Sequence, residues 1–485
     1  MLVSLYTVRV VLETLGEIDY GIYNVVGGIV TMFSFLSSTM ASASQRFFAF
    51  EIGKNNFQRL KEIFSLTLLS YIGIALLVFL LAETFGLWFV NTQLTIPSDR
   101  IDAVNYIYQF SILSFIVSIF STPYQAIIIA REKMNVYAYV SIVESILKLL
   151  IVYLLVLFSF DKLKLYAILV FFVTFFVTLI YIFYCRRNFK ESFYFFYWES
   201  KKMMEIVSYA WWNMIGTVAG LLRNQGVNIL LNVFFGPVVN TARAIAYQVN
   251  AVLSNFSNNF YIAVHPQIIK YYSSKQLEEM NDLVFRSSKL AFYLVMILFI
   301  PLILETEYIL RLWLNDLPKH TVIFVQLVII NTLINVLNNP LTCAIQATGK
   351  IIILQLTISV LNLTILPISY LFLRWGMQPE ITMIISICIS ILCFFPRLLL
   401  VKKYVGISII LFFKKVLFVV IIVFILSIIP PIIINLNMES SLYRFLLVTL
   451  TVLLFSIWVI YKIGLTINEK KLSKALINKF IKRIK

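Results

Sequence analysis

Residues 416–429 contain one polar side chain, Ser427. Apolar runs of this kind recur along the whole sequence, and they constrain the fold more than any other feature. In a bilayer core no water satisfies the backbone, so only α-helices and closed β-barrels can span it. A barrel strand alternates apolar and polar residues. These runs do not alternate, so helices are expected. Composition agrees: of 485 residues, 61% are hydrophobic and 13% charged, against roughly 25% charged in a soluble domain. The expected class is an all-α polytopic membrane protein.

A spanning helix needs about 20 mostly apolar residues. The sequence resolves into about 14 such segments, the first of which, residues 1–15, is too short to cross alone. With the chain start placed inside, Lys and Arg in the loops of that side outnumber those of the other side about four to one. Both termini are therefore expected in the cytoplasm. The net charge of +17 then reflects topology and anionic headgroups, not nucleic acid. Five cations fall within spans: Arg9, Arg46, Lys148, Arg223 and Arg243. No cleavable signal peptide is visible. Cys185, Cys343, Cys388 and Cys393 lie in or beside apolar segments, which argues against disulfides and zinc. Two histidines, His265 and His320, are too few for a metalloenzyme.

The two halves echo each other. Pro123, Ala130, Lys133, Tyr153 and Leu154 answer Pro340, Ala347, Lys350, Tyr370 and Leu371 at one offset of 217 residues. Tyr20-Gly21 similarly answers Phe235-Gly236. Six spans return the chain to its starting side, so this is a parallel repeat, the arrangement that builds two lobes around a central cavity. The expected organisation is an N-terminal lobe over 1–187 with its first span incomplete, an aromatic and basic interfacial linker over 188–204, and a C-terminal lobe over 205–403. Spans thirteen and fourteen (404–464) and a basic amphipathic tail on the cytoplasmic leaflet (465–485) follow.

Several motifs point to one family. They are Asp19-Tyr20-Gly21-Ile22-Tyr23-Asn24-Val25-Val26-Gly27-Gly28, Gln45-Arg46-Phe47, Pro123-Tyr124 with Ala130-Arg131-Glu132-Lys133, and Asn224-Gln225-Gly226-Val227-Asn228. Gly236-Pro237, Ala244 to Asn250 and Pro266-Gln267-Ile268 continue the pattern. On these residues the chain resembles the Wzx-type lipopolysaccharide and O-antigen flippases, a branch of the exporter superfamily that also holds multidrug antiporters and the lipid II flippase. The resemblance implies two six-helix lobes facing each other in a V around an alternating-access cavity. It implies an undecaprenyl-pyrophosphate-linked oligosaccharide as cargo, moved from the cytoplasmic to the periplasmic leaflet. It also implies about twenty residues before the position of Met1, so the start of this sequence is expected to be later than the true start.

Such a cargo has an anionic, sugar-bearing head. Charges inside the membrane are costly and mark functional sites by default, and the planar fork of arginine suits pyrophosphate. Arg9, Arg46, Arg223 and Arg243 are the candidates for a cationic cavity, with snorkelling or local pairing as the alternative. Glu144 and Lys148, four residues apart, are expected to pair, either as a protonatable coupling switch or as structure. Glu83 and Glu305 are expected to be solvated acids at helix ends. Gly216, Gly220, Asn224, Asn228 and Asn232 fall four apart on one helix, and Gln248 and Asn255 on the next add further amides. These amides could face sugar or bind helix to helix, and the sequence leaves both open.

A multidrug or small-molecule antiporter of the same fold is the alternative function, and it would prefer acids in the cavity. An enzyme is not expected, since no catalytic constellation or nucleotide motif is visible. No cofactor is expected. A proton gradient, a sodium gradient or the membrane potential would supply the drive. The expected partners are the lipid-linked oligosaccharide, membrane lipids and other polysaccharide-assembly proteins, and no nucleic acid.

Overall fold

Local signals set where the helices start and stop. Asn56 precedes Phe57, and its side chain accepts the Arg59 amide at 3.0 Å. Asp161 accepts the amides of Leu163 and Lys164, and Ser441 accepts that of Arg444. Each satisfies donors that the first helical turn leaves unpaired. At Gly236 the backbone turns to φ 77°, and Pro237 opens the next helix. Glycine tolerates that left-handed geometry and proline has no amide to lose, so the pair makes a tight helix–helix corner.

The computed structural model describes residues 33–93, 100–157, 161–314, 317–467 and 469–471, with scattered positions between Val11 and Val30. Contacts divide the chain into two compact units, 1–217 and 218–485. In the first lie α1 (Ser34–Gly53), α2 (Phe57–Thr92), α3 (Ile101–Ala130), α4 (Met134–Leu157) and α5 (Lys162–Asn188). The helix α6 (Ser200–Phe235) begins there and ends in the second unit. That unit continues with α7 (Pro237–Ser273), α8 (Leu277–Leu304), α9 (Thr321–Thr348), α10 (Ile352–Arg374), α11 (Ile381–Val405), α12 (Ile409–Asn437) and α13 (Leu442–Gly464). Among the described residues there is no strand.

Among the described residues ten helices, α2 to α5 and α8 to α13, are long and apolar enough to cross a membrane. The chain is a multi-pass membrane protein. Much of the first two expected spans falls outside the described residues. The expected seventh and eighth spans, α6 and α7, have the length, at 36 and 37 residues, but are more polar than the rest. Their polarity comes from the amides and arginines described below.

Each unit is organised on one helix. In the first, α3 packs against α1, α2, α4 and α5. In the second, α9 packs against α7, α8 and α11. These central helices are repeat equivalents, and each carries a buried proline, Pro123 or Pro340.

One expectation needs correction. Glu305 is not a solvated helix-end acid. It is buried and accepts Arg444 at 2.7 Å and Asn435 at 3.0 Å, which ties the ends of α8, α12 and α13 together. The Lys289 ammonium, in α8, is buried, 2.9 Å from Glu469 and 3.3 Å from the Gly464 carbonyl. Arg397 lies inside α11. The tail beyond Lys471, expected to be amphipathic, lies outside the described residues.

Residues 189–199 run along the first unit. Arg131 pairs with Glu191, the Phe195 amide donates to the Ser65 hydroxyl at 3.4 Å, and Arg59 pairs with Glu199 at 2.7 Å. Arg59, and then the Tyr197 hydroxyl, hold the Glu199 carboxyl down at about 2.

Two outcomes follow. An added methyl at Gly86 would stand 2.1 Å from the Tyr108 hydroxyl, which itself donates to the Ala82 carbonyl. Gly86→Ala should therefore destabilise by about 1–3 kcal/mol through overpacking, and by less in a Tyr108→Phe background, as read by thermal melts in detergent. Equal penalties in both backgrounds would refute the clash. Because the folded pKa of Glu199 is depressed, its contact is present above the unfolded value, about 4.3, and is lost as pH falls toward 2. Pepsin cleavage within 189–199 should stay low near pH 4 and rise steeply below pH 3. In Arg59→Leu it should already be fast at pH 4, and slow cleavage there would count against this clasp.

Candidate functional site

The polar faces of α6, α7 and α9 converge in the C-terminal unit on a cavity of about 220 Å³. Arg223 of α6, Tyr247, Asn250 and Asn258 of α7, and Asn331 and Asn335 of α9 line it. Helical spacing explains the convergence. Positions three or four apart share a face, as do Asn331 and Asn335 on α9, and Tyr247, Asn250, Ser254 and Asn258 on α7. The face is cross-linked: Thr332 donates to the Asn250 side-chain carbonyl at 2.6 Å, and the Asn335 amide donates to the Asn331 carbonyl at 3.0 Å.

Three arginines belong to this region. Arg223 donates to the side-chain carbonyls of Asn362 at 2.9 Å and Asn224 at 3.4 Å. Arg243 is buried, with its guanidinium 4.5 Å above the Tyr247 ring and 3.4 Å from the Asn228 carbonyl oxygen. Asn240 donates twice to Asn228, at 2.9 Å each, which fixes the acceptor that Arg243 uses. Arg397 donates to the Cys393 carbonyl at 3.0 Å. Arg223 is within electrostatic reach of Arg243 and of Cys393, the residue that Arg397 contacts. The Nε atoms of Arg243 and Arg397 are buried and have no hydrogen-bond partner among the described residues.

No carboxylate among the described residues pairs with any of the three, although Lys289, Arg311 and Arg444 in the same unit all have one. Placing arginine in the middle of a membrane helix costs about 2.5–3.5 kcal/mol on insertion scales. Here neutral amides and a ring face solvate that charge without neutralising it. The arrangement leaves net positive potential and free N–H donors, which favour an anion.

The candidate residues fall into distinct settings. Arg223, Arg243, Asn224 and Asn228 are brought together as above. Asn232, Gln248 and Asn255 are exposed and stand outside the cavity lining. Arg46 is in the N-terminal unit, buried, with its guanidinium 4.6, 5.4 and 5.3 Å from the rings of Phe47, Phe50 and Tyr209. Glu144 and Lys148 pair at 2.6 Å on an open face of α4. Arg9 lies outside the described residues. Sequence reasoning missed Tyr247, Asn250, Asn258, Asn362 and Arg397. The first three follow the spacing of α7, whereas Asn362 and Arg397 carry no local signal. Among the described residues no group of His, Cys, Asp and Glu could hold a metal ion.

Residues 1–272 match the family described as "Polysaccharide biosynthesis protein". The chain belongs to the polysaccharide biosynthesis protein family. The fold of this family member is that of MATE-like transporters of the MOP superfamily. An outward-facing multidrug resistance MATE family transporter of the MOP superfamily superposes with a TM-score of 0.72 at 11% identity, covering 84% of this chain and 92% of the other. The Vibrio cholerae MATE transporter VcmN in its bent form gives 0.69 at 16% identity, covering 84% and 93%. A MOP superfamily transporter from Pyrococcus furiosus, described by a reversed polarity of its binding pocket, gives 0.68 at 11% identity, covering 84% and 92%. At these identities the likeness establishes the fold alone. No curated protein sequence matches the chain.

Proposed function

We propose that this polysaccharide biosynthesis protein is a flippase. Its cargo is an undecaprenyl-pyrophosphate-linked oligosaccharide, an O-antigen or capsule repeat unit, carried from the cytoplasmic to the periplasmic leaflet of a bacterial inner membrane. The protein works by alternating access, with both termini in the cytoplasm and with no chemical step of its own. A proton or sodium gradient, or the membrane potential, drives the cycle.

One observation carries the reading: Arg223 lines an amide-rich cavity whose described wall has no acidic residue, and Arg243 stacks on Tyr247 of that wall. A pyrophosphate supplies the missing negative charge, and arginine can donate two parallel bonds to it. The amides of Asn250, Asn258, Asn331 and Asn335 both donate and accept, as hydroxyl-rich sugars require. The family name supports the same cargo class. An antiporter of organic cations on this fold would want carboxylates where this wall has none. Two acids of the N-terminal and C-terminal spans are neutralised by cations, Glu144 by Lys148 and Glu305 by Arg444, and Glu83 accepts the Gln109 amide away from this cavity.

The test is complementation of a flippase-deleted host that makes the matching polysaccharide, with surface polysaccharide scored and membrane expression confirmed. Arg223→Ala and Arg243→Ala should each lower surface polysaccharide by roughly tenfold or more, the loss of one strong charge-assisted contact. Arg223→Lys should fall between, because lysine keeps the charge and loses the fork. Full rescue by both alanine variants would overturn the cationic site.

A further inference from the structure

The N-terminal unit holds a second cavity, of about 400 Å³. We propose that it is a binding site for an uncharged sugar ring of the cargo, an inference that rests on the flippase reading. Its polar wall consists of Gly27 and Gly28, Ser111, Ser114 and Ser118 of α3, and Thr174 of α5. Phe110, Phe115 and Tyr23 complete the described lining that bears on a ligand, and no charged residue is in it.

Three of the four wall hydroxyls are already committed as donors. Ser114 donates to the Phe110 carbonyl at 2.7 Å, Ser118 to the Phe115 carbonyl at 2.7 Å, and Thr174 to the Val170 carbonyl at 3.0 Å. Each spends its one proton on its own helix and keeps its lone pairs. A wall of this kind accepts hydrogen bonds. An anion would meet lone pairs with no cation, an organic cation would find no carboxylate, and an acyl chain would leave the wall's spare lone pairs unused. A neutral polyol donates into such a wall, and the rings of Tyr23, Phe110 and Phe115 offer faces to its C–H groups. The volume is within the range of small-molecule sites, roughly 300–1,000 Å³.

The internal repeat supplies an independent argument. At the offset of 217, Ser111, Ser114, Phe115 and Ser118 correspond to Val328, Asn331, Thr332 and Asn335. All four of those line the arginine cavity of the other unit. At the offset that matches Gly21 to Gly236, Gly28 corresponds to Arg243. The two cavities therefore occupy equivalent faces of the two central helices. Where the C-terminal cavity has asparagine the N-terminal one has serine, and Gly28 answers Arg243, which stacks on the cavity residue Tyr247. A methyl added at Gly27 or Gly28 would meet nothing within 4 Å, so the glycines leave this space open.

The test uses the full chain in lipid nanodiscs with two probes, a polyprenyl pyrophosphate and the same lipid bearing a neutral oligosaccharide. The parent should bind the glycosylated probe about tenfold more tightly, the effect of roughly one to two neutral hydrogen bonds. Gly28→Leu, which fills the cavity, and the milder double variant Ser114→Ala with Ser118→Ala should abolish that preference while leaving affinity for the bare lipid unchanged. An unchanged preference in both variants, or none in the parent, overturns the sugar site. Arg223→Ala should weaken both probes alike. If it weakens neither, the phosphate site of the flippase reading fails, whatever the sugar preference does. Binding of neither probe by the parent overturns both.

Discussion

A backbone amide in hydrocarbon has no water to turn to. Every described span is a helix for that reason, and the same scarcity governs the side chains. A charge inside the membrane must be paired, solvated by the protein, or matched by something the protein binds. The described ion pairs show the first solution. Glu305 joins Arg444 and Asn435, and Lys289 joins Glu469 and the Gly464 carbonyl. Both bind the last two helices to α8 at points where an unpaired charge would be strongly destabilising. Removing one partner of such a pair typically costs about 3–5 kcal/mol.

Arg223, Arg243 and Arg397 show the second solution taken only part-way. Each has amide, carbonyl or ring partners, and none has a carboxylate among the described residues. Amide dipoles orient a guanidinium without cancelling its charge. The same unit supplies carboxylates to Lys289 and Arg444, so the contrast is local. A site kept positive in this way retains its attraction for an incoming anion, which a pre-formed ion pair would have cancelled.

How much of this was legible in the sequence depends on the range of the interaction. Apolar runs gave the helices, because hydropathy is a local property. The Glu144–Lys148 pair was legible from a spacing of four. The amide stripe was legible only at its start. Each step of four residues overshoots a helical turn by about 40°, so Asn224 and Asn228 meet the arginines while Asn232, two steps on, has rotated onto an open face. Asn362 reaches Arg223 across 139 residues, and Arg444 reaches Glu305 across the same separation. No periodicity predicts contacts that only the packing of helices creates.

The repeat explains how two chemistries fit one scaffold. Helix packing in each unit depends on the buried faces of α3 and α9, where Pro123, Ala130, Pro340 and Ala347 sit. The opposing positions, Ser114 with Asn331 and Ser118 with Asn335, face cavities. A substitution there changes no core contact, so the packing rules that hold the core near close-packed density do not restrain it. The two halves can thus keep one architecture while their cavity walls diverge, one toward lone pairs and open glycines, the other toward amides and arginine. A cargo that is itself asymmetric, with charge at one end of its head and hydroxyls at the other, is the kind of ligand for which such divergence has a physical use.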